Sequence, residues 1–336
     1  MSDIKKYGDL IKEAKKTRNF NLKEFLTRSE GPELFTTVLS DKLWQGAGPE
    51  LSTPIESIYD SFRLEQGIDV RFPSMRGMNP DLVPENGEYQ RADWEITSIT
   101  VEPQKFGMLI GLTREMINQS QLSLIGRSAM VAGMGHGDLR RREHAKALSA
   151  FSTLATRSTG TIGLTDHGYR YPSIGYTNVL SASAAPFLSW EARINFAMVT
   201  LANQRVTITA KGIDIPFPVV PDTIVANPHH RLEIAKVLNG GITVVSVGIS
   251  TGAGNNVAGS NVFNGLIQNQ VYDPEIPTGQ AFILKRGAGL VSVRRSDLTL
   301  DEFQNFYFDA QDIKSREEFL PAVVEERYIF ELQITG

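Results

Sequence analysis

The sequence contains no cysteine. Disulfides, zinc–cysteine sites, iron–sulfur clusters and thiol nucleophiles are excluded together. It also lacks a basic excess: 34 Lys and Arg stand against 38 Asp and Glu, a net charge of −4. Proteins that grip nucleic acid by neutralising phosphates carry such an excess, so the composition does not predict that mode of binding. No apolar run approaches the roughly 18 residues of a membrane helix. The opening MSDIKKYGDLIKEAKK has no apolar segment of the signal-peptide kind. The expectation is a protein made and working in the cytoplasm, or in something assembled there. Internal repeats and low-complexity tracts are missing as well.

What is present supports a folded chain. At 336 residues with 41% hydrophobic content, there is material for about two domains with real cores. Two local basic clusters stand out: Lys5, Lys6, Lys12, Lys15, Lys16 and Arg18 near the start, and Arg140, Arg141 and Arg142 with Lys146. Both read as solvated helix faces.

Residues 1–65 read as short helices on loops, an arm that lies on something else. Within it, Glu33 to Trp44 carries Leu34, Val38 and Leu39 at helical spacing, and Gly46 is placed to stop the helix. From 68 the pattern turns to strands. Ile68 to Phe72 alternates with period two, a polar loop follows, Trp94 opens a second strand to Val101, and Phe106, Met108, Ile110 and Leu112 share a face of a third. A lone two-stranded ribbon is marginal in water, so this hairpin needs a neighbour. Residues 113–153 are helical in character. Leu122, Ile125, Ala129 and Ala132 fit one face, and Ala145, Leu148 and Phe151 fit another turn set. Gly133, Gly135 and Gly137 lie between them. Each glycine inside a helix costs about 1 kcal/mol against alanine, so three in five residues predict a break or a hinge.

Residues 155–280 read as an α/β unit. Ser189 caps a helix with Ile194, Ala197, Met198 and Leu201 on one face; Thr223–Ala226 is a buried strand. Asn227 with Pro228 starts a helix striped by Leu232, Ala235 and Leu238, and the strand Ile242–Ile249 completes a strand–helix–strand unit. Toward the end, Ala281–Leu284 and Gly289–Arg294 are expected to form a hairpin. The last segment places Val324, Tyr328, Phe330, Leu332 and Ile334 opposite Glu325, Arg327, Glu331 and Gln333.

Chemistry-bearing motifs are absent. Gly252-Ala253-Gly254-Asn255-Asn256 follows a strand, but Val257 stands where a dinucleotide fingerprint needs glycine or alanine; it reads as a surface loop. His229 and His230 are adjacent and cannot chelate as an i, i+4 pair. His136 and His144 are separated in sequence, and all four are read as solvent-facing or capping residues. His167 beside Asp166 has no motif around it. Glu317-Glu318 and Glu325-Glu326 read as charged faces. No catalytic, cofactor-binding or metal-binding residue is assigned, and the chain is not expected to be an enzyme.

The order of parts carries a resemblance. Pro84-Glu85-Asn86-Gly87-Glu88-Tyr89 is similar to a loop-tip motif, followed by the strand Trp94–Thr100. Lys105 to Met116 resembles a lysine-x-glycine strand running into a Ser/Thr-x-Glu helix start. Thr159 to Leu164 resembles a glycine-rich linker, and Val225-Ala226-Asn227-Pro228 a strand–helix junction. Together, over roughly residues 20–336, they resemble the major capsid proteins of tailed, double-stranded DNA bacteriophages with the HK97-like fold. The resemblance implies an α+β chain with an N-arm (1–65), an E-loop hairpin (66–112), a spine helix (113–154), an α/β A-domain (155–280) and P-domain return strands (281–336). It implies hexamers and pentamers of an icosahedral shell around the genome, in a virion assembled in the host cytoplasm. The implied partners are other copies, a portal, packaged DNA held without sequence specificity, and in some shells a decoration protein; no membrane and no cofactor are implied. No lysine lies between 43 and 104, so the family's E-loop isopeptide is not expected. Only about 65 residues precede the loop, too few for a fused scaffold beside the arm, so a separate scaffolding protein is expected.

Buried aromatics dominate interfaces, which makes Trp44, Phe72, Trp94 and Phe106 candidate inter-subunit contacts, with ordinary core packing the alternative for each. Gly133, Gly135 and Gly137 are the candidate hinge of the spine helix. Two other classes remain at this level: an encapsulin-like cage loading a cargo enzyme, and an α/β enzyme using the Gly252 loop for a nucleotide.

Overall fold

The computed structural model describes residues 31–51, 54–75, 96–112, 122–151, 178–180, 189–208, 213–239, 243–244, 258–259, 266–305 and 310–334, with 115, 119 and 182 standing alone. Helix α1 is Gly31–Leu51 and leads to a 3-10 turn at Glu56–Ile58. Strands β1 (Asp60–Arg63), β2 (Val70–Met75), β3 (Ile96–Val101) and β4 (Gln104–Leu112) precede the long helix α2, Leu122–Ser149. Next come β5 (Val179–Leu180), α3 (Trp190–Ala202), β6 (Arg205–Ile208), β7 (Ile213–Pro216), β8 (Thr223–Ala226) and α4 (Arg231–Asn239). The short β9 (Thr243–Val244) and β10 (Ala258–Gly259) follow. The chain ends with β11 (Asn269–Tyr272), β12 (Gln280–Leu284), β13 (Leu290–Asn305), β14 (Ala310–Val323) and β15 (Ile329–Gln333).

Two sheets organise these parts. One has the order β1-β13-β14-β4, the other β11-β8-β12-β15-β5, and β2-β3, β6-β7 and β9-β10 are two-stranded ribbons. The first sheet is built on a long antiparallel hairpin running from Leu290↔Val323 to Asn305↔Ala310. Its period-two pattern is legible in β14, where Ile313, Ser315, Glu317 and Phe319 are buried and the residues between them are not. Helix α2 covers that face. Its buried positions Ile125, Ala129, Ala132, His136, Arg140, His144 and Leu148 recur every three or four residues, the spacing that keeps one helical stripe on a partner.

The second sheet is covered on both faces. On one side Ala145 and Leu148 of α2, with Phe151 just after it, meet Ile55, Ile58, Tyr59, Phe282, Leu284 and Ile329. On the other, Ile194, Ala197 and Leu201 of α3 and Ile234 and Leu238 of α4 meet Ile224, Ile283, Phe330 and Leu332. Ser189 caps α3 as expected, its hydroxyl accepting from the Ala192 amide at 3.2 Å.

Several expectations are corrected. Ala281–Leu284 and Gly289–Arg294 do not pair: β12 lies between β8 and β15, while β13 belongs to the other sheet, between β1 and β14. Local adjacency suggested a hairpin, but each strand finds a longer complementary partner elsewhere. A boundary between 280 and 281 therefore falls inside one sheet. The last segment is not one-sided either, because β15 is buried on both faces and Glu331 is fully enclosed. The parallel neighbour of β8 is β11, and the described part of the strand after α4 pairs with β10 instead. Asn227 caps a 3-10 turn, Pro228–His230, ahead of α4, and Leu232 is exposed while Ile234 takes the core. Ile55, Ile58 and Tyr59, within the expected arm, are core, and β1 pairs in parallel with β13.

Candidate assembly interface

Helix α1 does not stop at Gly46; it continues to Leu51 and packs along α2. The contact explains the glycines. A Cβ on Gly46 would stand 2.0 Å from the Met130 carbonyl oxygen, and one on Gly133 would stand 2.0 Å from the Leu43 carbonyl oxygen. The two backbones touch because neither residue has a side chain. Leu43, Ala47 and Ala132 fill the space around that crossing. The break expected at Gly133, Gly135 and Gly137 is absent: α2 runs unbroken through all three. Gly133 answers a packing demand from another helix, a tertiary gain that outweighs its helix propensity. At Gly135 the nearest atom to a Cβ would be the Met108 methyl, 3.3 Å away.

Between α2 and the first sheet lies a buried polar seam. His136 Nδ1 donates to Glu317 Oε1 at 2.7 Å and its Nε2 pairs with the Ser315 hydroxyl at 2.9 Å. Arg140 donates through Nε to Glu317 Oε2 at 2.5 Å. One turn on, His144 Nδ1 donates to the Arg140 carbonyl at 2.7 Å, so its Nε2 is left to accept from Ser292 Oγ at 3.0 Å. Tyr59 donates to the His144 carbonyl at 2.7 Å and sets its ring edge-on to the imidazole. Burial pushes His144 down to about 4 and raises the Tyr59 phenol. The helix spacing 136, 140, 144 faces the strand spacing 315, 317, which is why these groups meet.

This overturns several sequence readings. His136, His144 and His230 are buried, not solvent-facing, and Glu317, Glu326 and Arg140 are buried where charged or solvated faces were expected. Periodicity places a residue on a face but does not tell whether another element covers that face. Arg141 follows the same logic: it bridges Asp138 at 2.7 Å and Asp273 at 3.1 Å. Its hydrogen bond holds the Asp138 carboxyl below the usual range.

The four aromatic candidates separate. Phe72 is half-buried in its own chain, edge-on to Phe62 at 5.6 Å between centroids, in a cluster with Val101 and Val293. Phe106 packs on Phe319 at 4.9 Å. Trp44 stays 38% exposed. Trp94 lies outside the described residues, as do the loop tip 84–89, the linker 159–164, His167, the Gly252 loop and the basic cluster at 5–18. Of the hairpin expected over 66–112, the described residues include the ribbon β2-β3, in register from Val70↔Val101 to Met75↔Ile96.

An open cleft between α3 and α4 is lined by Trp190, Arg193, His229, His230, Glu233 and Thr278, among others. Two pairs of its polar groups bond to each other: Trp190 Nε1 donates to Glu233 at 2.7 Å and His230 Nε2 to the Thr278 carbonyl at 2.7 Å. Among the described residues no cluster of three His, Asp or Glu side chains could hold a metal. No described helix is long and apolar enough to cross a membrane.

The fold is that of solved capsids. The chain aligns with the mature capsid of bacteriophage PhiM1 (TM-score 0.51, 11% identity, 85% of this chain and 88% of that one). It aligns similarly with a subunit of Microbacterium phage Oxtober96 (0.50, 10% identity, 84% and 90%). The capsid of a native GTA particle gives 0.50 at 12% identity, over 84% and 90%. At such identities the likeness is one of fold: the α+β, HK97-like capsid architecture expected from the sequence. No curated protein matches. The profile of the family described as phage capsid protein, however, matches residues 96–332. That span runs from β3 through α2 to β15 and takes in every strand of the two sheets except β1, and the chain therefore belongs to the phage capsid protein family.

Proposed function

We propose that the chain is the major capsid protein of a tailed phage, assembling as hexamers and pentamers into an icosahedral shell around double-stranded DNA. The observation that carries the reading is a two-sheet platform covered by a long helix and joined by a two-stranded ribbon, in a chain of the capsid family. A closed shell requires repeated heterologous contacts in several directions. Each joining subunit loses about 4–15 kcal/mol of translational and rotational freedom, and projecting elements supply contact area on several sides to offset it. The role is structural, without catalysis.

A separate scaffolding protein, a portal and in some shells a decoration protein complete the assembly, which takes place in the host cytoplasm. DNA is enclosed without sequence readout, in keeping with the net charge of −4. The parts 1–65, 66–112, 113–154, 155–280 and 281–336 act as arm, E-loop, spine, A-domain and P-domain, with β12 and β15 tying the last two together. The glycine run at 133–137 is where the spine bends as the shell changes size.

The test is size-exclusion chromatography with negative-stain electron microscopy of the full chain, alone and co-expressed with a scaffold candidate. Hollow particles, or rings of five or six, are expected. A monomer or dimer under every condition would defeat the reading, and particles filled with a cargo enzyme would redirect it to a cellular cage.

A further inference from the structure

Helix α2 covers one face of the four-stranded sheet. Strand β4 forms its edge, pairing with β14 from Leu112↔Gln311 to Gln104↔Phe319. Among the described residues nothing pairs with its outer side. Sheet edges are normally guarded by charge, proline, shortness or cover. The opposite edge follows that rule: β1 is four residues long and carries Asp60 and Arg63. The β4 edge has one charge, Lys105 near its start, and departs from the rule beyond it. From Phe106 to Leu112 it reads Phe-Gly-Met-Leu-Ile-Gly-Leu, with neither charge nor proline, and Leu109 is 63% exposed.

The helix beneath tells the same story independently. His136 of α2 reaches β14, and the neighbouring Gly135 faces the Met108 methyl of β4. Val131 and Leu124, four and eleven residues before Gly135, fall on the same helical stripe. Both are large, apolar and exposed, Val131 at 58%. The stripe that meets β4 at Gly135 thus continues as exposed apolar surface. A further strand hydrogen-bonded to β4 would set alternate side chains onto Gly135, Val131 and Leu124, and the others beside Leu109.

We propose that the outer edge of β4 and the Leu124–Val131–Gly135 stripe of α2 receive an extended strand from a second copy of this chain. The proposal rests on the shell reading above and names a receiving surface for it. An unpaired ladder accepts backbone, so the occupant is a strand. The uncharged strip does not suit nucleic acid, which needs cations. Every copy carries one such edge, so a strand donated by one copy to the next repeats around a ring as a heterologous contact.

The absence of cysteine makes a direct test possible. With Leu109→Cys as the sole thiol, maleimide labelling is compared in dissociated subunits and in assembled particles of the full chain. Labelling about tenfold slower in the particles is expected, matched in the wild type by hydrogen exchange that slows at alternate amides of 104–112 only on assembly. Leu109→Glu should fold with an unchanged melting temperature yet lose about tenfold in assembly yield, since a guarded edge no longer pairs. Equal labelling in both states overturns the proposal. So does protection already present in the dissociated subunit, which would mean that the chain covers its own edge, and so does normal assembly of Leu109→Glu. A wild-type chain that never forms particles would instead defeat the shell reading, and this proposal with it.

Discussion

Glu317 sits 1% exposed between a histidine and an arginine, and a buried carboxylate of this kind has consequences that depend on which partner is removed. Replacing Glu317 alone by Gln leaves the Arg140 guanidinium enclosed without a counter-charge, a change that costs about 3–5 kcal/mol. Replacing both, as Arg140→Met with Glu317→Leu, removes the desolvated charges together and is expected to recover most of that loss. Urea denaturation of the two singles and the double closes the cycle; a double as unstable as the worse single would mean that the pair is not the stabilising unit. His144 predicts a pH effect. Its folded-state value, lowered to about 4 by burial, lies below the unfolded value of about 6.5. The neutral form is favoured in the fold, so its contribution is whole above pH 6.5 and declines as pH falls toward 4. Across that window the stability loss from this group amounts to about 3 kcal/mol. His144→Gln should flatten the pH dependence of the urea midpoint between pH 6.5 and 4; an unchanged slope would place the acid sensitivity elsewhere.

Helix α2 and the helix laid along it make a joint claim. Adding a methyl at Gly133 drives it into the Leu43 carbonyl, and one at Gly46 drives it into Met130. Each alanine substitution should lower stability by about 1–3 kcal/mol through overpacking and raise the exchange rate of α1 amides. Gly135→Ala meets only a methionine methyl, which can turn aside, and it gains helix propensity of up to about 1 kcal/mol. Thermal melts that rank Gly135→Ala at or above wild type, with Gly133→Ala well below it, would separate packing from flexibility. Normal shells and normal size change with Gly135→Ala and Gly137→Ala together would remove the hinge from the spine. Three glycines in five residues look alike in sequence because propensity is a local quantity; Gly133 is set apart from Gly135 by Leu43 and Ala47 of α1, far earlier in the chain, whereas Gly135 meets only Met108 of β4.

At the scale of the whole molecule, charge sets a further expectation. With 34 basic against 38 acidic side chains, and Arg140, Arg141 and Arg142 committed to carboxylates inside the subunit, the dissociated chain should not be retained on a DNA column at about 0.15 M salt. Retention with a steep salt dependence would mean that a basic surface, such as the cluster at residues 5–18, engages DNA directly. The subunit's stability and its assembly are also separable at this scale. The two apolar cores close within one chain, whereas the β4 edge and the exposed Trp44, Leu124 and Val131 do not.

The sequence by itself determined the order of parts, since periodicity, glycine and proline are local signals: α3 with its Ser189 cap, the buried strand 223–226, the ribbon from 70 to 101, the long helix from 122. It also determined what the chain lacks. The tertiary structure alone decided which face of each element is covered. That is why His136, His144 and Glu317 were legible as polar residues but not as a buried seam, and why β12 and β13, neighbours in sequence, belong to different sheets. Strand pairing and helix crossing depend on contacts between residues far apart in the chain, such as Leu284 with Thr223 and His136 with Glu317. A single sequence carries no local record of such distances.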